Sequence, residues 1–454
     1  MSDHVHDVAV VGAGVVGAAV ARLLARRRVD VVLVEANADV GAGTSKANTA
    51  ILHTGFDAVP GSIEARLVAR GYQLLREHAP RAGISVEETG AVLVAWDDEQ
   101  AEALPKLHAK AVSNGYLDAV VLDPAEVREL EPHLGPGLTG GMLVPGEHLI
   151  DPWTPPLSFA RDVLANGGSV VTSARVRSVD VGPEVTTLTA EDGRMIRCRH
   201  LVNAAGLHGD RLHRELGLGG FTIRPRRGEL IVFDKLARPL LSRTILPVPT
   251  ATTKGVLVAP TVFGNVVLGP TADDIDDPTA TGSTRAGLDG LLAKGRRILP
   301  ALLDEEVTAV YAGLRAATEH SDYQLSAHRD LRYVCLGGIR STGLTSSMAL
   351  AEEALVLLAD AGFEAGIEPS DPPPVQTHST PLGEAGPRPY QDGGRMVCHC
   401  ERVTAAEIEL ALGDTIPPVD VDGLRRRTRT LAGRCQGFFC SAAVAQLTGW
   451  PVDR

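Results

Sequence analysis

The chain has 454 residues and an ordinary globular composition, 44% hydrophobic, 22% charged and only 4% aromatic. That length corresponds to about three domains at roughly 100–200 residues each, ample for a real core. Lys plus Arg number 44 against 56 Asp plus Glu, a formal charge of −12. This balance argues against nucleic-acid binding, which rests on neutralising phosphates, and against docking on anionic lipid through a polybasic face. No stretch approaches the ~18–20 apolar residues of a membrane helix. The N-terminus enters a strand-like run without a cationic segment or cleavage site, so a soluble, cytoplasmic protein is expected.

Residues 7–35 read as one βαβ unit. Residues 7–11 are a short apolar run, GAGVVG at residues 12–17 a turn, residues 18–28 an unbroken helix, and residues 29–35 a second buried strand. Gly12 permits the tight turn, Gly14 lets the backbone approach a diphosphate, and Gly17 lets the helix close on the strand. The helix N-terminus stabilises the diphosphate, and Glu35, 18 residues past Gly17, accepts from ribose hydroxyls. The pattern reads as a dinucleotide site and leaves FAD and NAD both open.

A Gly/Thr/Ser/Asn-rich loop follows at residues 41–50. Residues 62–79 then read as a helix with Ser62 as N-cap and Glu64 and Glu77 on its polar side. Short strands and helices alternate over residues 84–145, strand-and-turn blocks occupy 167–206, and 222–272 are strand-rich. Two helical pieces and a strand come next, and residues 331–362 read strand, loop, helix. Residues 366–394, dense in Pro and Gly, are expected to be a linker.

The six cysteines are too few for a disulfide scaffold. Cys198 and Cys335 fall in strand-like segments and are expected to be buried, inert thiols. Cys398, Cys400, Cys435 and Cys440 crowd the final segment as C-x-C, 34 intervening residues, then C-x-x-x-x-C. Four thiolates on two turns can hold a tetrahedral zinc or a [2Fe–2S] cluster, and the spacing alone leaves both open.

Three segments carry a resemblance. TSKANTAILHTG (44–55) is similar to the isoalloxazine-side loop of the D-amino-acid-oxidase-like flavoprotein superfamily, LVNAAGLHGD (201–210) to its second nucleotide motif, and GGIRSTGLTSSMALAE (337–352) to its C-terminal flavin motif. The resemblance implies noncovalent FAD, held by Gly12, Gly14, Gly17 and Glu35, by Thr44, Ser45, Asn48 and Thr49, by Val176, Ala205 and Gly206, and by Gly338, Gly343, Leu344 and Thr345. The tail, VCHCERVTAAEIELAL through RRRTR, GRCQG and the last cysteine, resembles the bacterioferritin-associated-ferredoxin-like [2Fe–2S] module. That resemblance makes Cys398, Cys400, Cys435 and Cys440 the cluster ligands. It also sets Arg425, Arg426, Arg427 and Arg429 near the cluster to offset its charge, unless they form a solvated helix face.

Flavin motifs fused to such a tail look like the large-subunit family of anaerobic glycerol-3-phosphate dehydrogenase, over essentially the whole chain. RPRRGEL (224–230), KGVLVAPTVFGNVVLGPT (254–271) and YAGLRAAT (311–318) add to the likeness. The L-2-hydroxyglutarate oxidase group shares the flavin loop with a histidine like His53. The implied chemistry is hydride removal from a CH–OH or CH–NH carbon. His53 is then the candidate base, unless it positions the flavin instead, since histidine titrates in the useful range. Arg315 and Arg340 would face the substrate and hold a phosphate or carboxylate, or else form structural ion pairs; Lys254 is a weaker candidate. A cluster in the chain favours a dehydrogenase over an oxidase. Its partners would be a small anionic substrate and an electron-accepting partner subunit or quinone, with peripheral membrane association through such a partner. The alternative is a 2-hydroxy-acid or amino-acid dehydrogenase.

The expected architecture is α/β: a Rossmann-like FAD-binding domain (1–84, 146–215 and 311–365) interleaved with a β-rich α+β substrate domain (85–145 and 216–310). The linker at 366–394 leads to a small helical [2Fe–2S]-binding domain at 395–454.

Overall fold

The strand Val5–Val11 pairs in parallel with Val31–Val34 on one side and Met195–Asn203 on the other. Val8 and Val10 enter one core while Ala9 and Val11 enter another, because alternate side chains of a strand leave opposite faces. Both faces are covered, so Val31–Val34 is buried at every position. In this computed structural model, which describes residues 4–249, 255–364 and 394–451, the strands form one eight-stranded sheet. Ser169–Val171 closes one edge, Tyr333–Gly337 pairs with Met195–Asn203, and Val176–Val181 and Thr186–Ala190 extend it as antiparallel strands. The helices Val15–Arg26, Thr154–Ala165 and Gly343–Asp360 pack on the sheet face that carries Val8, Val10 and Leu33.

The helix Ile63–His78 begins where the sequence places it. Ser62 Oγ accepts from the Ala65 amide at 3.0 Å, a cap that contributes about 1 kcal/mol. Glu77 is exposed, but Glu64 is buried and turned inward. This helix crosses Gly343–Asp360 closely at Gly71, where a Cβ would stand 2.3 Å from the Thr345 carbonyl oxygen.

A nine-stranded sheet forms the second layer. Its spine is the antiparallel pair Ile223–Phe233 and Val307–Thr318, in register from Ile223 opposite Thr318 to Val232 opposite Ala309, with a one-residue bulge at Thr308 before Phe233 meets Val307. Ala91–Ala95, Gly140–Val144, Thr244–Pro247, Leu257–Pro260 and Val266–Gly269 continue it, and the helix Arg285–Ile298 covers one side. Between the layers, Ile51–Leu52, His148–Ile150 and Val86–Glu87 make a small three-stranded sheet.

The tail is a separate small core. A hairpin of Met396–Cys398 and Val403–Thr404 packs with the helices Ala405–Leu412, Val421–Thr428 and Ser441–Thr448 around Val397, Ile408, Leu424 and Val444. Thr404 and Glu407 close a full capping box at the first of these helices. This α/β body with a helical tail matches the expected class. Residues 365–393, nearly all of the expected linker, lie outside the described residues, as does Lys254. No helix among the described residues is long and apolar enough to cross a membrane.

Candidate active site

The glycine turn is built as its spacing implies. A Cβ at Gly17 would lie 1.9 Å from the Gly12 carbonyl oxygen, so only glycine lets the helix pass so near the strand. Gly12 has φ 103, and a Cβ there would stand 2.4 Å from the Ala204 carbonyl oxygen. Gly14 is the N-cap of Val15–Arg26 and offers no side chain; Val15 N donates to Ser45 Oγ at 3.0 Å, and the first-turn amides after it carry no side-chain cap and suit an anion. Glu35 sits at the end of the second strand with both oxygens engaged: Oε2 accepts from Ala13 N at 2.7 Å, and Oε1 from Asn37 N and Nδ2 at 2.7 and 2.6 Å.

From this turn a single cavity of about 2110 Å³ runs between the layers and on to the tail. Gly12, Gly14, Glu35, Thr44, Ser45, Asn48, Thr49, Val176, Ala205, Gly206, Gly338, Gly343 and Leu344 all line it, together with His53, Arg315 and Arg340. Gly17 and Thr345 stand behind the wall. Thr345 is fully buried, and its Oγ1 accepts from His53 N at 3.0 Å and donates to Ile51 O at 3.4 Å, so its side chain is a strut. The helix Gly343–Asp360 also starts without a side-chain cap, which aims a second set of open amides at the cavity.

The 44–48 loop is clamped to the strand Val307–Thr318. Thr44 Oγ1 donates to Leu314 O at 3.0 Å, Tyr311 Oη donates to Asn48 O at 2.8 Å, and a Cβ on Gly313 would stand 2.1 Å from Ala47 O. Asn48 holds the loop's own curve by donating to Ser45 O and accepting from Ala50 N.

His53 does not stand alone. Its Nδ1 lies 2.9 Å from Glu147 Oε2, while Glu147 Oε1 accepts from Thr54 N at 2.6 Å and Thr54 Oγ1 at 2.8 Å. Glu147 is completely buried and the His53 side chain is 24% exposed. A carboxylate on Nδ1 assigns the proton to that nitrogen and leaves Nε2 as the acceptor. Sequence reading missed Glu147, which lies 94 residues from His53.

The two arginines differ. Arg340 Nη2 donates to Glu64 Oε2 at 3.1 Å and to Ser321 O at 2.5 Å, and Glu64 also accepts from Thr342 Oγ1 at 2.7 Å. It therefore stands as an ion pair. Arg315 makes one 3.4 Å contact with Thr271 O and has no carboxylate partner among the described residues. Burial, with Arg226 directly opposite in register, pulls its pKa below the usual arginine value. Arg226 is itself neutralised by Asp274 at 2.6 Å. Gly228 makes room: a Cβ there would come within 2.9 Å of the Arg315 guanidinium. A part-buried cation without a carboxylate partner is a seat for an anion.

The tail's cysteines form two pairs. A thiol–thiol hydrogen bond from Cys440 pulls Cys398 down to about 6 and holds Cys440 up. Cys400 and Cys435 form the second pair; burial raises Cys400. Burial also pushes on Cys435, but the amides of Phe439 and Gly437 and the Cys400 thiol outweigh it and lower the thiol. Among the described residues no three of these sulfurs lie mutually within 4.8 Å, so they stand as two separate pairs. Amides of Glu401 and Leu431 point at Cys398, the donor pattern that stabilises an iron–sulfur centre. Gly433 packs so close that a Cβ would stand 2.2 Å from that of Cys400. Two thiol pairs ringed by amides fit a two-iron cluster. Cys198 and Cys335 are buried in strands, where burial raises their thiols to about 12 and about 11.

The arginine run divides between the body, the surface and the cysteine loop. Arg427 forks onto Asp39 at 2.8 Å from each nitrogen, Arg426 reaches Asp39 Oδ2 at 2.6 Å, and Arg425 pairs with Asp422 at the surface. Arg429 binds Glu401 and Asn265. With the Arg161–Asp414 pair and Lys235 on Glu401, these contacts seat the tail on the body.

Comparison with known proteins agrees with this geometry. Residues 7–355 match the family model for FAD dependent oxidoreductases (DAO), and residues 396–448 match that of the BFD-like [2Fe-2S] binding domain. The chain is 31% identical to a glycerol 3-phosphate dehydrogenase of Caloramator mitchellensis, over 97% of this chain and 93% of that protein. It is 30% identical to a glycerol 3-phosphate oxidase of Mycoplasma pneumoniae, over 78% of this chain and 94% of that one. The dithionite-reduced L-alpha-glycerophosphate oxidase of Mycoplasma pneumoniae, solved with FAD bound, superposes with a TM-score of 0.78 at 27% identity, covering 83% of this chain and 99% of that one. A nucleotide turn, a clamped flavin loop and a two-pair cysteine tail thus lie on one cavity, and the chain belongs to the DAO family of FAD-dependent oxidoreductases, with a C-terminal BFD-like domain for a [2Fe–2S] cluster.

Proposed function

We propose that the protein is a dehydrogenase of a small anionic alcohol, glycerol 3-phosphate or a near relative, that relays the electrons through its own cluster to a partner subunit or a quinone. The observation that carries this reading is Arg315, a cation without a carboxylate partner among the described residues, in the cavity that also holds the His53–Glu147 pair. Bound FAD supplies the hydride acceptor, and the cluster supplies one-electron chemistry.

Arg315 forks onto the phosphate and fixes which carbon faces the ring. His53 Nε2 takes the hydroxyl proton as the C–H bond breaks, and Glu147 steadies the imidazole and the charge it gains. Arg340, spent on Glu64, shapes the turn before the Gly343 helix. Gly14, Ser45, Thr49, Gly343 and Leu344 hold the cofactor along the cavity wall. A dehydrogenase is favoured over an oxidase because similarity to the dehydrogenase extends over 97% of the chain, against 78% for the oxidase.

An anaerobic visible spectrum before and after adding glycerol 3-phosphate tests the reading. Bleaching of the flavin bands followed by the cluster's absorbance is expected. Bleaching by 2-hydroxyglutarate or an amino acid, and none by glycerol 3-phosphate, would overturn the substrate. Bleached flavin with an oxidised cluster would overturn the relay.

A further inference from the structure

The cavity does not stop at Arg315, and its lining continues to Arg429 and Cys435 in the tail. An unbroken wall of packed groups joins the flavin loop to the cysteines. Trp153 Nε1 donates to Lys46 O at 3.0 Å, and the Trp153 ring stacks on Phe263 with centroids 5.1 Å apart and planes at 17°. The Arg429 guanidinium lies 4.3 Å from the Phe263 centroid. Its Nε donates to Glu401 Oε2 at 2.7 Å and its Nη2 to Asn265 Oδ1 at 3.0 Å. Glu401 follows Cys400 in the chain, and its amide bonds the Cys398 sulfur.

Arg429 differs from the other arginines of the run, because it alone meets both the cysteine loop and the aromatic wall. Its backbone is left-handed, at φ 62, a conformation a non-glycine residue keeps only where its contacts hold it. Leu431 and Gln436, at φ 70 and 49, share that conformation beside the cysteines. Lys235 also binds Glu401, at 3.0 Å, so two cations share one carboxylate beside the cysteine loop, where Arg434 in turn faces Glu306 and Asp234.

We propose that Arg429 is a positioning residue that seats the cysteine loop on the Phe263–Trp153 wall and thereby governs electron passage from flavin to cluster. The inference rests on the relay reading above. Oxidation of one CH–OH to C=O releases two electrons and two protons. The cluster takes one electron at a time, one ferric ion becoming ferrous, so passage occurs twice per substrate, and the outside quinone or partner centre receives each electron in turn. The hydroxyl proton leaves through His53, and the proton that travelled with the hydride is released to water.

The test begins at the flavin, so it does not depend on the substrate. In the cofactor-loaded protein, flavin is reduced by laser flash with EDTA as donor, and the cluster's reduction is followed by visible absorbance and freeze-quench electron paramagnetic resonance. Arg429→Met is expected to leave flavin reduction unchanged and slow cluster reduction at least tenfold. Loss of the Arg429 charge should also move the cluster's midpoint potential to a more negative value, with partial recovery in Arg429→Lys. Phe263→Leu, which leaves the cysteine loop untouched, should slow transfer without moving the potential. Unaltered rates and potential in Arg429→Met would overturn the proposal. Where Arg429→Met shows no cluster signal after dithionite, an unaltered rate in Phe263→Leu overturns it. If flavin reduction in the unsubstituted protein is never followed by the cluster, the relay reading fails instead.

Discussion

Replacing Glu147 by Gln should disable proton removal while leaving the fold and substrate binding intact. Thr54 N and Oγ1 both donate to Glu147 Oε1, at 2.6 and 2.8 Å, in a site with no solvent access. A glutamine must keep its carbonyl oxygen toward those donors, because turning its NH2 there would bury donor against donor at about 1–3 kcal/mol. Its NH2 then faces His53 Nδ1, in place of the Oε2 that stands there at 2.9 Å. The imidazole answers by moving its proton to Nε2, the atom that would otherwise take the substrate's proton. Inverting the tautomer in a comparable histidine–carboxylate pair costs about 10⁴ in rate, and looser supporting contacts about 10–100-fold. The expected loss is therefore about 10²–10⁴ in the rate of substrate-driven flavin reduction, about 3–5 kcal/mol of barrier. Anaerobic stopped-flow at the flavin band measures it, with FAD content and melting temperature as controls. A Glu147→Gln protein with full FAD, an unchanged melting temperature and a rate within threefold of the parent would refute the assignment of His53 as base.

Arg315→Ala should cost about 1.5–3 kcal/mol of anion binding and raise KM, checked by steady-state kinetics with glycerol 3-phosphate and with an uncharged alcohol that should be indifferent to the change. Arg340→Ala should leave KM within threefold and lower stability instead, by about 1–2 kcal/mol after allowance for its exposure, 29% against 10% for Glu64. Asp39→Ala leaves two buried guanidiniums without their carboxylate and should loosen the tail by about 3–5 kcal/mol, read by thermal melting followed through the cluster's visible circular dichroism. Burial acts to raise the Asp39 pKa, but Arg427 and Arg426 outweigh it and hold it below the usual carboxylate value. A depressed carboxylate contributes stability that is complete above the unfolded value of about 3.9 and lost as pH falls through the folded one. Docking of the tail should therefore hold from neutral pH to about 4 and weaken below it, and a tail that loosens already near pH 6 would contradict this.

The parts of the site that were legible in the sequence are local. The glycine turn, the acid at the end of the next strand and the cysteine doublets each complete their pattern within a few tens of residues, where backbone sterics and strand–helix geometry set the spacing. His53 and the two arginines were found through motifs, but the motif could not tell Arg315 from Arg340. That difference depends on Glu64, which the helix pattern put on the polar face and the fold turned inward to meet Arg340 from 276 residues away. Glu147 meets His53 through strand pairing of His148–Ile150 with Ile51–Leu52, a register that no single-sequence periodicity specifies. The arginine run of the tail carried charge enough to suggest the cluster, yet its counter-ion, Asp39, lies 388 residues from Arg427 and carries no local mark.

The strand Val307–Thr318 places Tyr311, Gly313 and Arg315 at every second position, so all three leave the same face: one ties the flavin loop, one lets it lie close, and one meets the substrate space. These duties share one parity. Beyond the bulge at Thr308, deleting or inserting a single residue between Ala309 and Tyr311 would turn all three to the opposite face together, giving up loop, clearance and cation at one stroke. Beyond that bulge, length changes are therefore tolerated only in pairs, and variants with altered substrate choice should arise there by substitution at Arg315 while the chain length between Tyr311 and Arg315 stays fixed.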